Sequence, residues 1–97
     1  MPIHIIAPAD ALAQLDQYHA VIDARSPGEF ALDAIPSAVN WPSLDDTQRI
    51  TIGTLYKQTG GFEAKKAGAA LVARNIAAHI EQHLLDAPRG WQPLVYC

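Results

Sequence analysis

The stretch Val21-Ile22-Asp23-Ala24-Arg25-Ser26-Pro27-Gly28-Glu29-Phe30 decides the fold. Its first half, preceded by His19 and Ala20, is apolar on consecutive positions, as a strand buried on both faces is. Its second half is a helix start. Ser26 can cap, Pro27 suits the first helical position, and Glu29 can reach back to the Ser26 amide. A buried strand running directly into a helix is the repeating unit of α/β folds. Phe30, Ala31 and Leu32 continue the helix, and Ile35-Pro36 ends it, because a residue before proline is pushed out of the helical region.

Downstream, Val39-Asn40-Trp41-Pro42 reads as a short extended piece. Ser43-Leu44-Asp45-Asp46 is a second capping-like start, with Asp46 in the reciprocating position, and predicts a helix through Arg49, Leu55 and Tyr56. Thr59-Gly60-Gly61 breaks it. Phe62 to Leu85 carries the strongest helical pattern: Ala69, Val72, Ala73, Ile76, Ile80 and Leu84 recur at three- and four-residue spacing and predict the core-facing side. Ala87-Pro88-Arg89-Gly90 stops that helix, and Leu94-Val95-Tyr96 is a last strand. Upstream, Ile3 to Ile6 leans towards β structure, and Asp10 to Tyr18 reads as a short amphipathic helix. Strands alternating with helices predict an α/β domain with a largely parallel sheet, whose site lies at the carboxyl ends of the strands. Asp23-Ala24-Arg25 follows one strand and Cys97 ends another, so the two are expected on one face of the domain.

The composition is compatible with this reading. The chain has 97 residues, 49% of them hydrophobic, and a formal net charge of −3. That length suits one domain with a modest core, and the apolar fraction argues against disorder. No apolar run approaches the roughly 20 residues that span a bilayer. Met1-Pro2-Ile3-His4 begins no secretory signal, so the expected compartment is the cytoplasm and no membrane partner is expected. One cysteine excludes an internal disulfide framework and a multi-cysteine metal site. A net negative charge is the wrong sign for tight nucleic-acid binding by this segment alone.

Cys97 is the leading candidate for chemistry. A thiolate is the reactive form of cysteine, and backbone amides in a loop after a strand would favour it and cradle an anion. The alternative is a packing thiol, since free cysteine behaves as a small hydrophobe. Asp23 and Arg25 flank a strand end, with Glu29 four residues on. These charges either bind an anion through Arg25 or order the loop by pairing among themselves, and ordering is the more common use. His79 and His83 are four apart on a helix, but no third metal ligand is evident, so they read as a solvated face. No resident cofactor and no metal site are expected.

The residues Val21 to Phe30 resemble the rhodanese homology domain, which carries Asp-x-Arg after a strand and then a Glu-Phe or Glu-Tyr pair. Ile35-Pro36-Ser37-Ala38-Val39-Asn40 is similar to that family's Ile-Pro-x-Ala-x-Asn segment, although Ala34 stands where a histidine is common. Leu94-Val95-Tyr96-Cys97 is similar to the strand that ends on the family's catalytic cysteine. A narrower resemblance rests on Ile52-Gly53-Thr54-Leu55-Tyr56-Lys57-Gln58, Phe62 to Lys66 and Ala69 to Ile76. These look like the bacterial tRNA 2-selenouridine synthases, in which a rhodanese domain precedes a P-loop nucleotide-binding domain.

The resemblance implies a rhodanese-like parallel sheet flanked by helices. Residues 1–97 would form one such domain, truncated at its C-terminal end and lacking the downstream loop, the final helices and the P-loop domain. It implies a transferase that replaces the sulfur of wobble 2-thiouridine in tRNA with selenium from selenophosphate, by way of a geranylated intermediate. Cys97 would be the catalytic cysteine that carries the chalcogen, with Asp23, Arg25 and Glu29 ordering the site. The partners implied are tRNA, through the whole protein, and an enzyme that produces selenophosphate. Without the downstream loop, the 97-residue chain alone is expected to be inactive. Two other readings stay open: a stand-alone sulfurtransferase using thiosulfate or a protein persulfide, and a non-catalytic interaction module.

Overall fold

A computed structural model describes residues 3–97. Met1 and Pro2, where the expected leaderless N-terminus begins, lie outside the described residues. Three strands, β1 (Ala20–Asp23), β2 (Val39–Asn40) and β3 (Pro93–Tyr96), form one parallel sheet in the order β2-β1-β3. Four helices accompany it: α1 (Pro8–Ala13), α2 (Pro27–Leu32), α3 (Asp46–Thr59) and α4 (Gly61–His83), with a 3₁₀ turn at Leu15–Gln17. This is the α/β arrangement that the alternation of patterns predicts. β1 is central, which explains its consecutive apolar residues: Val21 and Ile22 are buried between neighbours on both edges.

Local sequence accounts for most of the boundaries. Ser26 stands at the N-cap of α2 and Pro27 at its first turn, but the cap works differently from the expectation. The Ser26 hydroxyl donates to Glu29 Oε1 (3.2 Å), and its side chain accepts no amide of the helix. The capping box of α3 lies two residues beyond the expected one. Asp45 accepts from the Gln48 amide (2.7 Å), and the Gln48 side chain accepts from the Asp45 amide (3.0 Å). Ser43 is occupied elsewhere, its amide and hydroxyl both donating to Ala24 O at the end of β1. Asp45→Ala is expected to cost about 1 kcal/mol of stability, read as a lower urea midpoint at unchanged slope.

Gly60 separates α3 from α4 with φ of +93°, a conformation that glycine alone adopts cheaply. α4 packs on α3 through Ala64 and Gly68, both buried, and Ile52 lies over Gly68. The inward side of α4 only partly matches the expected one: Val72 and Leu84 are half-buried, whereas Ala69, Ala73, Ile76 and Ile80 are exposed and Asn75 and His79 are half-buried in their stead. The reason is polar. Asn75 Nδ2 donates to Ser43 O (2.9 Å) and Gln48 Oε1 (2.7 Å), and His79 Nε2 donates to Pro42 O (2.8 Å). Trp41 stacks against both His79 and His83, with ring centroids 6.1 and 4.6 Å away. The two histidines are thus packing partners of the segment after β2. The apolar run Ile3 to Ile6 forms no strand, and Ile3 and Ile5 stand in solvent. The expected helix over Asp10 to Tyr18 is α1 followed by the 3₁₀ turn.

Candidate functional site

The carboxyl ends of β1 and β3 lie side by side, with Asp23 in register with Tyr96 and the Ala24 amide bonded to Tyr96 O (2.9 Å). This brings Arg25 and Cys97, 72 positions apart in sequence, to the rim of one open cleft. The cleft has a volume of about 380 Å³. Arg25, Tyr96 and Cys97 line it from the strand ends, and residues 33–36 line it from the segment after α2. The Cys97 thiol is in no disulfide.

Asp23 organises the site. Its side chain is 0% exposed, and its carboxylate accepts from the Arg25 amide (2.8 Å), Arg25 Nε (3.1 Å), Arg25 Nη2 (2.8 Å) and the Tyr96 hydroxyl (2.9 Å). A buried carboxylate is costly unless its lone pairs are satisfied, and here they are. The Arg25 hydrogen bonds hold the Asp23 carboxyl below its ordinary 3.8, against a smaller upward push from burial. The same pairing raises Arg25 above its ordinary value. Arg25 Nη2 also donates to Asp33 O, and the guanidinium sits over the Tyr96 ring, 5.6 Å from its centroid. Arg25 is therefore a bidentate partner of Asp23 and ties the cleft's second wall to the first.

Glu29 does not join this cluster. It pairs with Arg49 and accepts from Ser26, so of the two pairings open to Arg25 the one with Asp23 forms, and Glu29 braces α2 against α3. Two further residues, which the sequence did not single out, complete the site. Asn40 Nδ2 donates to Asp23 O (3.1 Å) and Arg25 O (2.9 Å), fixing the backbone of the turn after β1. Tyr96 bonds to Asp23 across 73 positions of sequence. A signal for Asn40 lay in the Ile35-to-Asn40 segment; Tyr96 had none beyond its place beside Cys97.

The segment Ile35 to Ala38 is a tight turn, with the Ala38 amide bonded to Ile35 O (3.0 Å). Pro36 sits at its second position and Ser37 at its third, with φ of +70°. That is the pattern of a type II turn, whose third position normally takes glycine. Among the described residues, no three His, Cys, Asp or Glu side chains are grouped to hold a metal ion. Nor is any described helix long and apolar enough to cross a membrane.

No protein-family profile matches the chain. Curated relatives do. The tRNA 2-selenouridine synthase of Shewanella piezotolerans is 36% identical over 92 residues, covering 95% of this chain and 23% of that protein. The enzyme of the same name from Nitrosomonas europaea is 41% identical over 81 residues, covering 79% and 20%. That from Cronobacter sakazakii is 38% identical over 80 residues, covering 82% and 20%. The chain spans about a fifth of the length of these relatives. Among solved structures, the N-terminal domain of a protein from Clostridium difficile 630 described as ATP/GTP-binding superposes with a TM-score of 0.66 at 30% identity. The match covers 81% of this chain and 60% of that one.

Proposed function

We propose that this chain, which belongs to the tRNA 2-selenouridine synthase family, supplies that family's chalcogen-carrying cysteine at Cys97, within a rhodanese-like domain of a larger transferase. The transferase would replace sulfur by selenium in wobble 2-thiouridine of tRNA, with selenophosphate as donor. The observation that carries the reading is the position of Cys97: a thiol directly after the carboxyl end of a parallel strand, on the rim of a cleft that also presents Arg25. Covalent carriage splits one difficult transfer into two easier ones.

Loading from thiosulfate needs no oxidant: the Cys97 thiolate bonds to the outer sulfur as the S–S bond breaks, the bonding pair leaves with sulfite, and Cys97 becomes a persulfide. Asp23 holds Arg25 and does not react, because both oxygens of its carboxylate are occupied by hydrogen bonds from Arg25 and Tyr96. The working enzyme is the whole protein, acting in the cytoplasm on tRNA and fed by an enzyme that makes selenophosphate. The 97-residue segment by itself is not expected to complete the transfer. Intact-protein mass spectrometry of the whole protein after incubation with thiosulfate tests the reading. One added chalcogen mapping to Cys97, and removed by a thiol reductant, supports it. Loading that persists when Cys97 is replaced rejects it.

A further inference from the structure

The Tyr96 hydroxyl makes two hydrogen bonds in opposite directions. It donates to Asp23 Oδ2 (2.9 Å), in the buried cluster beneath the strand ends. It accepts from the Ile35 amide (3.1 Å), in the segment that forms the opposite wall of the cleft. Among the described residues, no other side chain joins the end of β3 to that wall by a hydrogen bond. Arg25, which reaches the same wall at Asp33, lies over the Tyr96 ring.

From this geometry we infer that Tyr96 is a positioning residue for the reaction at Cys97: its phenol staples residues 33–36 to the strand that bears the thiol and fixes the width of the cleft in which the donor is attacked. The inference rests on the reading of Cys97 as the loaded nucleophile. Tyr96 touches neither donor nor chalcogen. It acts by holding Cys97 and the facing wall in one register, and a small error in such geometry slows a transfer more than it weakens binding. The turn at Ile35 to Ala38 gives the staple something to hold. Its left-handed Ser37 is a conformation a non-glycine residue keeps only when its surroundings impose it, and the Ile35 amide is anchored at the first residue of that turn.

Tyr96→Phe keeps the ring and removes both hydrogen bonds, so it isolates the staple. The whole protein is loaded with thiosulfate in single turnover, as wild type, Tyr96→Phe and the remote destabilised variant Asp45→Ala. Amide hydrogen exchange at Ile35 is followed in the same proteins. The expected result for Tyr96→Phe is a loading rate at saturating thiosulfate about tenfold lower, with the half-saturating concentration changed by less than about twofold. Exchange at Ile35 is expected to be at least about tenfold faster, because the amide has lost its acceptor. Asp45→Ala should change neither. Tyr96→Phe loading at the wild-type rate, or slowed no more than Asp45→Ala, overturns the inference while leaving Cys97 as the carrier. Wild-type protein that never loads Cys97 instead overturns the reading on which the inference depends, and the inference with it.

Discussion

Asp23→Ala is expected to destabilise the protein by on the order of 3 kcal/mol, the largest loss expected from any single substitution in the site. The carboxylate is fully buried and accepts hydrogen bonds from the Arg25 amide and guanidinium and from the Tyr96 hydroxyl. Its removal orphans all of them together. Domains of this size are stable by roughly 5–15 kcal/mol in total, so the loss is a large share. Urea unfolding should show a lower midpoint at unchanged slope.

The same group gives the protein an acid limb. Asp23 binds its proton less tightly when folded than its ordinary value of 3.8, chiefly because Arg25 donates to the ionised form. Its stabilisation is therefore complete above that ordinary value and is lost as pH falls through the lower folded value. Asp23→Asn, which cannot ionise, should be less stable than wild type at neutral pH and should lose less stability on acidification below about pH 4. Equal acid limbs in the two proteins would contradict this role for the buried cluster.

The sheet and the meeting of Asp23, Arg25 and Cys97 were legible in the sequence because they depend on short-range signals. A central parallel strand must be apolar on both faces, and Val21 and Ile22 are. Once the sheet is parallel, the carboxyl ends of its strands lie at one edge. The inward face of α4 was not legible. Periodicity finds a stripe of alanine and isoleucine but cannot tell that Asn75 and His79 will turn inward to bind Ser43 O and Pro42 O. Ile76 and Ile80 consequently remain 45% and 43% exposed. The start of α3 was misplaced by two residues because Ser43-x-x-Asp46 and Asp45-x-x-Gln48 satisfy the same capping pattern, and only the contact of Ser43 with Ala24 chooses between them. Glu29 was grouped with Arg25 by proximity in sequence, and its pairing with Arg49 depends on how α2 meets α3. Tyr96 belongs to the same class, since no local pattern reports a hydrogen bond that spans 73 positions.

The second large effect concerns the thiol. Cys97→Ala removes one sulfur that makes no hydrogen bond to Asp23, Arg25 or Tyr96, so the buried cluster at the strand ends should be unaffected. Chemistry that passes through a covalent carrier cannot proceed without the carrier atom. Binding of tRNA by the whole protein should stay within about twofold of wild type, because replacing the thiol removes no cation that could meet a phosphate. Activity and binding should therefore separate completely in this variant.

The most direct measurement is nucleoside mass spectrometry of tRNA from cells whose only copy of the whole protein carries Cys97→Ala. If Cys97 is the carrier, 2-selenouridine is absent and 2-thiouridine accumulates. Wild-type levels of 2-selenouridine would contradict that role.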